Sequence, residues 1–314
     1  MPPKIAVITG PTASGKTALG VALAELLHGE VVSADSMQIY RRMNIGTAKP
    51  TPEEMCGVPH HMIDVAEPGE NYSVARYVAE ASACVDDILA RGKLPVVVGG
   101  TGLYIDSLLS GRTFADGASD SALRQELNER YDEIGGEGLL GELRKVDPDR
   151  AVKLHAADKK RIVRAMEVYI LTGKTITQHD AETRLIPPRY DAARIALDFE
   201  NRADLYARID RRVDAMVEAG LFDEVRALLA EGIPADCTAM QAIGYKEAVG
   251  AVRGACTEAE AADRIRQESR RYAKRQLTWL RRDPSLFWIR FEKAPDMVLA
   301  RRLSTGFLAR CGIE

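Results

Sequence analysis

The stretch that decides the fold is Ile5-Ala6-Val7-Ile8-Thr9-Gly10-Pro11-Thr12-Ala13-Ser14-Gly15-Lys16-Thr17. Its first part, Ile5–Ile8, is a short run of apolar and branched residues, which predicts a buried parallel strand. Its second part, Gly10–Thr17, fits the pattern GxxxxGK[ST]. A helical pattern follows from Lys16 to Leu27. Strand, glycine-rich loop and helix in this order predict a P-loop at the edge of an α/β sheet.

A P-loop binds the phosphates of a di- or triphosphate. Its glycines let the backbone curl, so that several N–H groups point at one anion, and the helix N-terminus adds a partial positive charge. Lys16 brings a full charge to the terminal phosphate, and the Thr17 hydroxyl is a ligand for Mg²⁺. The residues that we expect to hold the phosphates are Gly10, Thr12, Ala13, Ser14, Gly15, Lys16 and Thr17. The loop does not say what happens to the bound group.

The rest of the chain alternates between strand and helix patterns and then changes. Strands are predicted at Val31–Val32, Pro95–Val98 and Arg194–Phe199, with a last one at 285–289. Between 113 and 192 the sequence is polar and helical in period, and the predicted helical insertion ends after Pro187-Pro188. The predicted fold class is therefore an α/β P-loop core, 1–112 and 193–314, with an inserted helical domain, 113–192.

Composition is that of an ordinary globular protein and excludes several classes. The chain has 314 residues, a net charge of −3, and 46% hydrophobic residues. Its apolar runs are too short for a membrane helix or a secretory signal, so we expect no membrane partner. Five cysteines in an odd, unpaired arrangement indicate reduced thiols in the cytoplasm rather than disulfides or a metal site.

Two further loops follow predicted strands at the ligand side of the sheet. Ser33-Ala34-Asp35 places a carboxylate near the phosphate end of the cleft, and the alternative is a helix cap or a Mg²⁺-ordering carboxylate. Gly99–Gly102 allows close backbone approach and offers the Thr101 hydroxyl, and the alternative is a plain turn. His60-His61 suggests a metal site, but adjacent histidines project differently, so we expect a structural role.

The order of motifs resembles the tRNA dimethylallyltransferase family over nearly the whole chain. The motifs are GPTASGKT, SADSMQIYRRMNIGTAKP, PHHMIDVAEPGENYSVARY, VVVGGTGLYI, DKKRIVRAMEVYILTGK, RADLYARIDRRVDAM, AMQAIGYKE and YAKRQLTWLRR. The resemblance implies a P-loop core with a helical insertion. It also implies transfer of a dimethylallyl group from dimethylallyl diphosphate, with Mg²⁺, to N6 of the adenosine 3′-adjacent to the anticodon, position 37, releasing diphosphate.

Residue types agree with the roles that the resemblance implies. The adenine amine is a poor nucleophile, so a carboxylate that takes its proton accelerates attack, and Asp35 is the candidate. Thr101 would donate to the bridging oxygen of the leaving diphosphate, which makes it the second candidate catalytic residue. Arg208 and Arg212 are expected to reach the phosphates, although a solvated helix face is the usual place for such arginines.

The RNA partner requires a local basic surface, because the whole chain is slightly acidic. Arg271, Lys274 and Arg275 share one side of a predicted helix, with Tyr272 and Trp279 interleaved. Such a stripe tracks a phosphate backbone, and its aromatics stack on bases, unless it is a solvated face with core aromatics. The resemblance implies that the tRNA anticodon stem-loop contacts Ser36, Met37, Gln38, Lys160, Arg161, Arg164, Gln241, Gly244, Lys246, Arg271, Lys274 and Arg275. Gln38 suits an adenine edge, whereas Glu167 would partly neutralise Arg164.

Three other functions compete with this hypothesis. They are a small-molecule kinase, an RNA-binding module without catalysis, and an isopentenyltransferase acting on free adenine nucleotides. A kinase needs no basic helical insertion, a binding module gives no reason for Asp35 and Thr101 to border the phosphate site, and free nucleotides need no basic C-terminal helix. We therefore expect a monomeric tRNA-modifying enzyme.

Overall fold

The structure is a computed structural model that describes residues 2–111 and 120–314. The chain forms two compact units: a core of 1–109 and 189–314, and a second unit of 110–188. Position 112 and the first residues of the predicted insertion lie outside the described residues. Within the described ranges, every helix is too short or too polar to span a bilayer.

The described residues contain six strands, thirteen α-helices and one short 3₁₀ helix, Ala239–Gln241. The strands are β1 Lys4–Thr9, β2 Glu30–Ser33, β3 His60–His61, β4 Pro95–Gly99, β5 Asp191–Phe199 and β6 Phe287–Phe291. The helices are α1 Lys16–Leu26, α2 Pro52–Met55, α3 Val74–Ala90, α4 Gly102–Leu109, α5 Ser121–Val146, α6 Pro148–Ala151, α7 Lys159–Thr172, α8 Ile176–Arg184, α9 Arg202–Glu218, α10 Leu221–Ala230, α11 Tyr245–Val252, α12 Glu258–Leu280 and α13 Met297–Arg310.

The core contains one parallel sheet in the order β3-β2-β4-β1-β5-β6. Strand β4 lies between β2 and β1, so the loops that follow these three strands meet at one edge. Thr9 at the end of β1 is in register with Gly99 at the end of β4 and donates from its hydroxyl to the Gly99 carbonyl at 2.9 Å. This strand order, rather than sequence proximity, gathers the predicted site.

Helices cover both faces of the sheet. Alternate residues of β1 enter different apolar clusters: Ile5 and Val7 join one, and Ala6 and Ile8 join the other. All four are fully buried. A strand buried on both faces reads as a continuous apolar run, which is why the sequence predicted it. The α/β P-loop class is thus confirmed.

The second unit consists of helices with a core of their own. Its buried residues come from α5, α6 and α7, and α5 is broken at Gly135, where φ is 74°. Leu139, Leu143 and Ile162 are fully buried there.

Three elements differ from the sequence-based expectation. β6 spans Phe287–Phe291 instead of 285–289, because these are the residues that pair with β5. β5 begins at Asp191 instead of Arg194, because Ala192 and Ala193 pair with β1 although small residues give no strand signal. The two-residue strand β3, which is too short to show a period, was not predicted.

Candidate functional site

The phosphate loop has the backbone that its sequence predicts. It joins β1 to α1, which begins at Lys16. Gly10 has φ of 149°, and a Cβ there would lie 2.8 Å from the carbonyl oxygen of Leu197, so only glycine fits. The buried Ser14 hydroxyl has no hydrogen-bond partner among the described residues. A buried polar atom without a partner at a helix N-terminus marks the phosphate loop, Gly10–Thr17, as an anion cradle, that is, a site for an anion.

Three cationic side chains surround this loop. Lys16 Nζ lies 3.4 Å from the Pro11 carbonyl oxygen, and Arg212 donates to the Thr12 hydroxyl at 3.4 Å. Arg208 Nε donates to the Ala13 carbonyl at 2.9 Å. Burial, together with the Arg212 charge, lowers the pKa of Lys16 to about 8, although Asp35 acts in the opposite direction. Burial also lowers the pKa of both arginines. This clustering of like charges favours a multiply charged anion.

Asp35 and Thr101 lie on adjacent loops that are bonded to each other. Thr101 Oγ1 accepts from the backbone nitrogen of Ser36 at 3.1 Å, and the Thr101 nitrogen donates to the Ala34 carbonyl at 3.1 Å. Asp35 Oδ1 accepts from the Met37 nitrogen at 2.9 Å. Within residues 2–111 and 120–314, no donor is bonded to Asp35 Oδ2. One carboxylate oxygen is thus fixed by the backbone while the other keeps its capacity to accept, and Asp35 lines a cavity.

Lys16, Arg212 and Asp35 share a cavity of about 320 Å³, whereas Thr101 and Arg208 are not among the described residues that line it. Its wall includes residues from each predicted set: Thr12, Lys16, Thr17 and Arg212 for phosphate, Asp35 for catalysis, and Ser36, Met37, Gln38, Gln241 and Arg275 for tRNA. Apolar side chains such as Val98, Val213 and Ile265 line the same space. A second cavity of about 720 Å³ shares Lys16, Thr17 and Arg212 and adds Ala13, Gly15 and Arg208. The volumes are those of small-molecule sites.

The other predicted RNA-contacting residues of the core lie outside this wall. Arg271 and Lys274 of α12 are exposed, and so is Lys246 of α11. Arg271 pairs with Glu268 at 2.6 Å. Gly244 is buried directly before α11. Trp279, expected to interleave with the basic stripe, donates its indole N–H to Asp106 at 2.8 Å, so its orientation is set by the protein.

The second unit carries its own basic cluster on α7. Lys160 and Arg161 are exposed. Arg164 pairs with Glu167 at 2.8 Å, as the spacing predicted. Glu167 is fully buried and also accepts from Arg124 at 2.9 Å, so it anchors two arginines rather than one.

Both histidines contact other protein groups, but His60 also lines the 320 Å³ cavity, and its buried Nε2 has no partner among the described residues, so the structural role stays a prediction. His61 Nε2 lies 2.7 Å from Glu30, a buried carboxylate that also binds Arg91 and Lys93. His60 Nδ1 lies 2.8 Å from the Val58 carbonyl oxygen. Among the described residues, no cluster of three His, Cys, Asp or Glu side chains could hold a metal ion.

Sequence reasoning missed Gln276, which joins the phosphate loop to the Gly99–Gly102 loop. Its Oε1 accepts from the Thr12 nitrogen at 2.8 Å, and its Nε2 donates to the Gly100 carbonyl at 2.9 Å. The neighbouring Tyr272 hydroxyl lies beside Thr101 and Gln276, and burial raises the pKa of Tyr272 to about 12. No local signal marks Gln276, because its partners lie far away along the chain.

Family models and individual relatives of this chain point to the same family. The model of the family described as IPP transferase matches residues 38–283, and that described as isopentenyl transferase matches residues 3–66. A tRNA dimethylallyltransferase of Geobacter sulfurreducens is 46% identical over 94% of both chains. One of Shouchella clausii is 47% identical over 93% of this chain and 92% of that one.

Solved structures share the fold. The tRNA isopentenylpyrophosphate transferase of Bacillus halodurans is 41% identical, with a TM-score of 0.73 over 98% of both chains. A eukaryotic dimethylallyltransferase acting on tRNA has a TM-score of 0.82 at 28% identity, over 98% of this chain and 80% of that one.

Proposed function

The chain belongs to the IPP transferase family, and we propose that it is a tRNA dimethylallyltransferase. It transfers a dimethylallyl group from dimethylallyl diphosphate to N6 of adenosine 37, next to the anticodon of tRNA, and releases diphosphate. The observation that carries the proposal is the single cavity whose wall combines Lys16 and Arg212 of the anion cradle with Asp35 and Gln38.

The anion cradle acts on the leaving group. As the allylic C–O bond breaks, negative charge builds on the diphosphate. The loop N–H groups with Lys16, Arg208 and Arg212 then stabilise the transition state more than the ground state. The phosphate-binding set comprises Gly10, Thr12, Ala13, Ser14, Gly15, Lys16, Thr17, Arg208 and Arg212. Support comes from the Ser14 hydroxyl, which is buried without a partner among the described residues.

Asp35 is the proposed base. The adenine N6 attacks the allylic carbon as the C–O bond breaks, and the N6 proton passes to the carboxylate, so charge and atoms balance. The bonding of Oδ1 to the Met37 nitrogen supports this role, since it fixes the carboxylate while Oδ2 keeps its capacity to accept. Thr101 is proposed to donate to the bridging oxygen, from a hydroxyl that is already held by the Ser36 nitrogen.

The residues present fit a magnesium ion held mainly by the substrate. Thr17 offers a hydroxyl in the cavity wall, while Asp35 keeps the role of base. Mg²⁺ is commonly held by one or two protein side chains together with phosphate oxygens and water. When bound it would neutralise part of the charge on the diphosphate.

The acceptor side is proposed to involve both basic clusters. Gln38, with Ser36, Met37 and Gln241, would contact the extruded base, since a buried site is out of reach of a stacked nucleotide. Lys246, Arg271, Lys274 and Arg275, together with Lys160, Arg161 and Arg164, would hold the phosphate backbone. Gly244, directly before α11, would contribute together with Lys246 of that helix. We propose that the enzyme works as a monomer in the cytoplasm.

The test is incubation of the protein with Mg²⁺, labelled dimethylallyl diphosphate and unmodified tRNA. We expect label on A37 and none on a tRNA with guanosine at that position. A parallel reaction with γ-labelled ATP and small acceptors tests for a kinase, and one with AMP tests for a free-nucleotide enzyme. Label on a phosphoryl acceptor, or no isoprenoid on RNA, would overturn the proposal.

A further inference from the structure

The Glu224 carboxylate accepts hydrogen bonds from three successive backbone N–H groups of a distant segment. Glu224 lies on α10. Its oxygens accept from the backbone nitrogens of Asn44 at 2.8 Å, Ile45 at 2.9 Å and Gly46 at 3.2 Å. The hydroxyl of the fully buried Tyr245 also donates to Glu224, at 2.5 Å. Successive N–H groups that converge on one carboxylate fix the backbone of the segment that supplies them.

The segment fixed in this way, residues 44–48, holds the side chains of the site. The Gln38 amide nitrogen donates to the carbonyls of Thr47 at 3.4 Å and Ala48 at 3.1 Å. The Ala48 carbonyl also accepts from Arg212 at 3.4 Å. One short loop therefore orients both Gln38, which is proposed to contact the base, and Arg212, which is proposed to contact the phosphates.

Gly46 in this segment packs tightly against the ring of Tyr245. A Cβ at Gly46 would lie 2.4 Å from Cε2 and 2.7 Å from Cζ of the Tyr245 ring. The ring that covers Gly46 is thus the same one whose hydroxyl binds Glu224. A shift of the segment would break the hydrogen bonds and the packing together.

The orientation of the Gln38 amide has a chemical consequence. Both of its N–H groups are directed at carbonyls, and its Oε1 accepts from Ser33 at 3.3 Å. A carbonyl oxygen accepts two hydrogen bonds, so Oε1 has one remaining place. This place suits an amine donor such as adenine N6, and it opposes the O6 carbonyl of guanine.

We propose that Glu224 is a positioning residue for base selection: by fixing residues 44–48 it directs the Gln38 carbonyl oxygen at the acceptor base, so that an amine is preferred to a carbonyl. The inference rests on the proposed function, since it assumes a purine in this cavity. Tyr245 supports the same carboxylate.

The experiment compares binding of anticodon stem-loops with adenosine or guanosine at position 37, without prenyl donor. We expect Glu224→Gln to lower the preference for adenosine by about ten-fold, the effect of losing a charge-assisted hydrogen bond. Tyr245→Phe, which keeps the ring against Gly46, should act in the same direction and more weakly. Asp223→Asn removes a neighbouring, exposed carboxylate of α10 and should leave the ratio unchanged.

A merely structural role would weaken both stem-loops equally and leave their ratio intact. In a Gln38→Ala background, Glu224→Gln should have no further effect on the ratio, because the effect acts through Gln38. An unchanged ratio in Glu224→Gln, or an equal loss with and without Gln38, overturns the inference. Because prenyl transfer is measured separately, failure of wild-type transfer would overturn the proposed function and not this result.

Discussion

The side-chain oxygen of Gln276 lies 2.8 Å from the backbone nitrogen of Thr12 and accepts its hydrogen bond. The amide nitrogen of the same side chain binds the Gly100 carbonyl, next to Thr101. Helix α12, which carries the proposed RNA-binding stripe, is thereby tied to the phosphate loop and to the Gly99–Gly102 loop.

Replacing Gln276 with methionine should separate these loops. A buried hydrogen bond that loses its partner costs about 1–3 kcal/mol, so we expect KM for dimethylallyl diphosphate to rise about ten-fold. The Kd for tRNA should stay the same. Steady-state kinetics with dimethylallyl diphosphate varied measure KM, and equilibrium binding measures the Kd for tRNA. Gln267→Met, on an exposed position of the same helix, is the control. An equal rise in both constants would contradict a local role.

Replacing Asp35 with asparagine should abolish chemistry and keep binding. Asparagine Oδ1 can still accept from the Met37 nitrogen, so the loop is retained, but the amide takes up no proton. We expect the single-turnover rate to fall by about 10²–10⁴-fold, with tRNA affinity unchanged. Rapid-quench measurements at saturating substrates test this, with the exposed Asp236→Asn as control. A near-wild-type rate would exclude Asp35 as the base.

The lowered pKa of Lys16 predicts how diphosphate binding depends on pH. Lysine is charged below its pKa, which burial and Arg212 lower to about 8, so the affinity for inorganic diphosphate should fall as the pH rises above that value. Binding near pH 8 should also take up protons, because the anion favours charged lysine. Calorimetry in buffers of different ionisation enthalpy measures both effects.

Lys16→Arg separates this effect from the ionisation of the ligand. Arginine stays charged throughout the range, so the decrease in affinity should be smaller and proton uptake should reflect the ligand alone. The same pH dependence in both proteins would show that Lys16 does not titrate.

Glu30 is expected to be a major determinant of stability. It is buried and binds Arg91, Lys93 and His61, and these contacts, led by Arg91, hold its pKa well below the ordinary value. A carboxyl group with a depressed folded-state pKa stabilises above its unfolded pKa and loses this contribution as the pH falls. The free energy of unfolding should therefore decrease as the pH falls below about 4.5.

Glu30→Gln should lower the free energy of unfolding by about 1–3 kcal/mol at neutral pH, because the buried side chain loses charge-assisted hydrogen bonds to partners that are themselves partly exposed. It should also flatten the acid dependence. Urea unfolding at several pH values measures both. Asp87→Asn breaks a salt bridge to the same Arg91 from an exposed position and should cost less than about 1 kcal/mol. Equal losses in the two variants would contradict the role given to burial.

The sequence predicted what depends on neighbours along the chain. A buried strand, a glycine loop and a helix in succession identify the P-loop, because each is fixed by local periodicity and backbone torsion. The same holds for the strand before Asp35 and for the helices α5 to α8 between 121 and 184. Strand β3 and the start of β5 were not predicted, because these residues form strands through pairing with neighbouring strands and not through a local pattern.

Tertiary structure alone decided which distant residues meet. The position of β4 between β2 and β1 brings Thr101 to Ser36, and packing of α12 and α10 brings Gln276 to Thr12 and Glu224 to the 44–48 segment. A glutamine or a glutamate on a helix looks the same in sequence whether it faces water or a backbone amide. Such contacts are set by the packing of elements far apart in the chain, which no local pattern encodes.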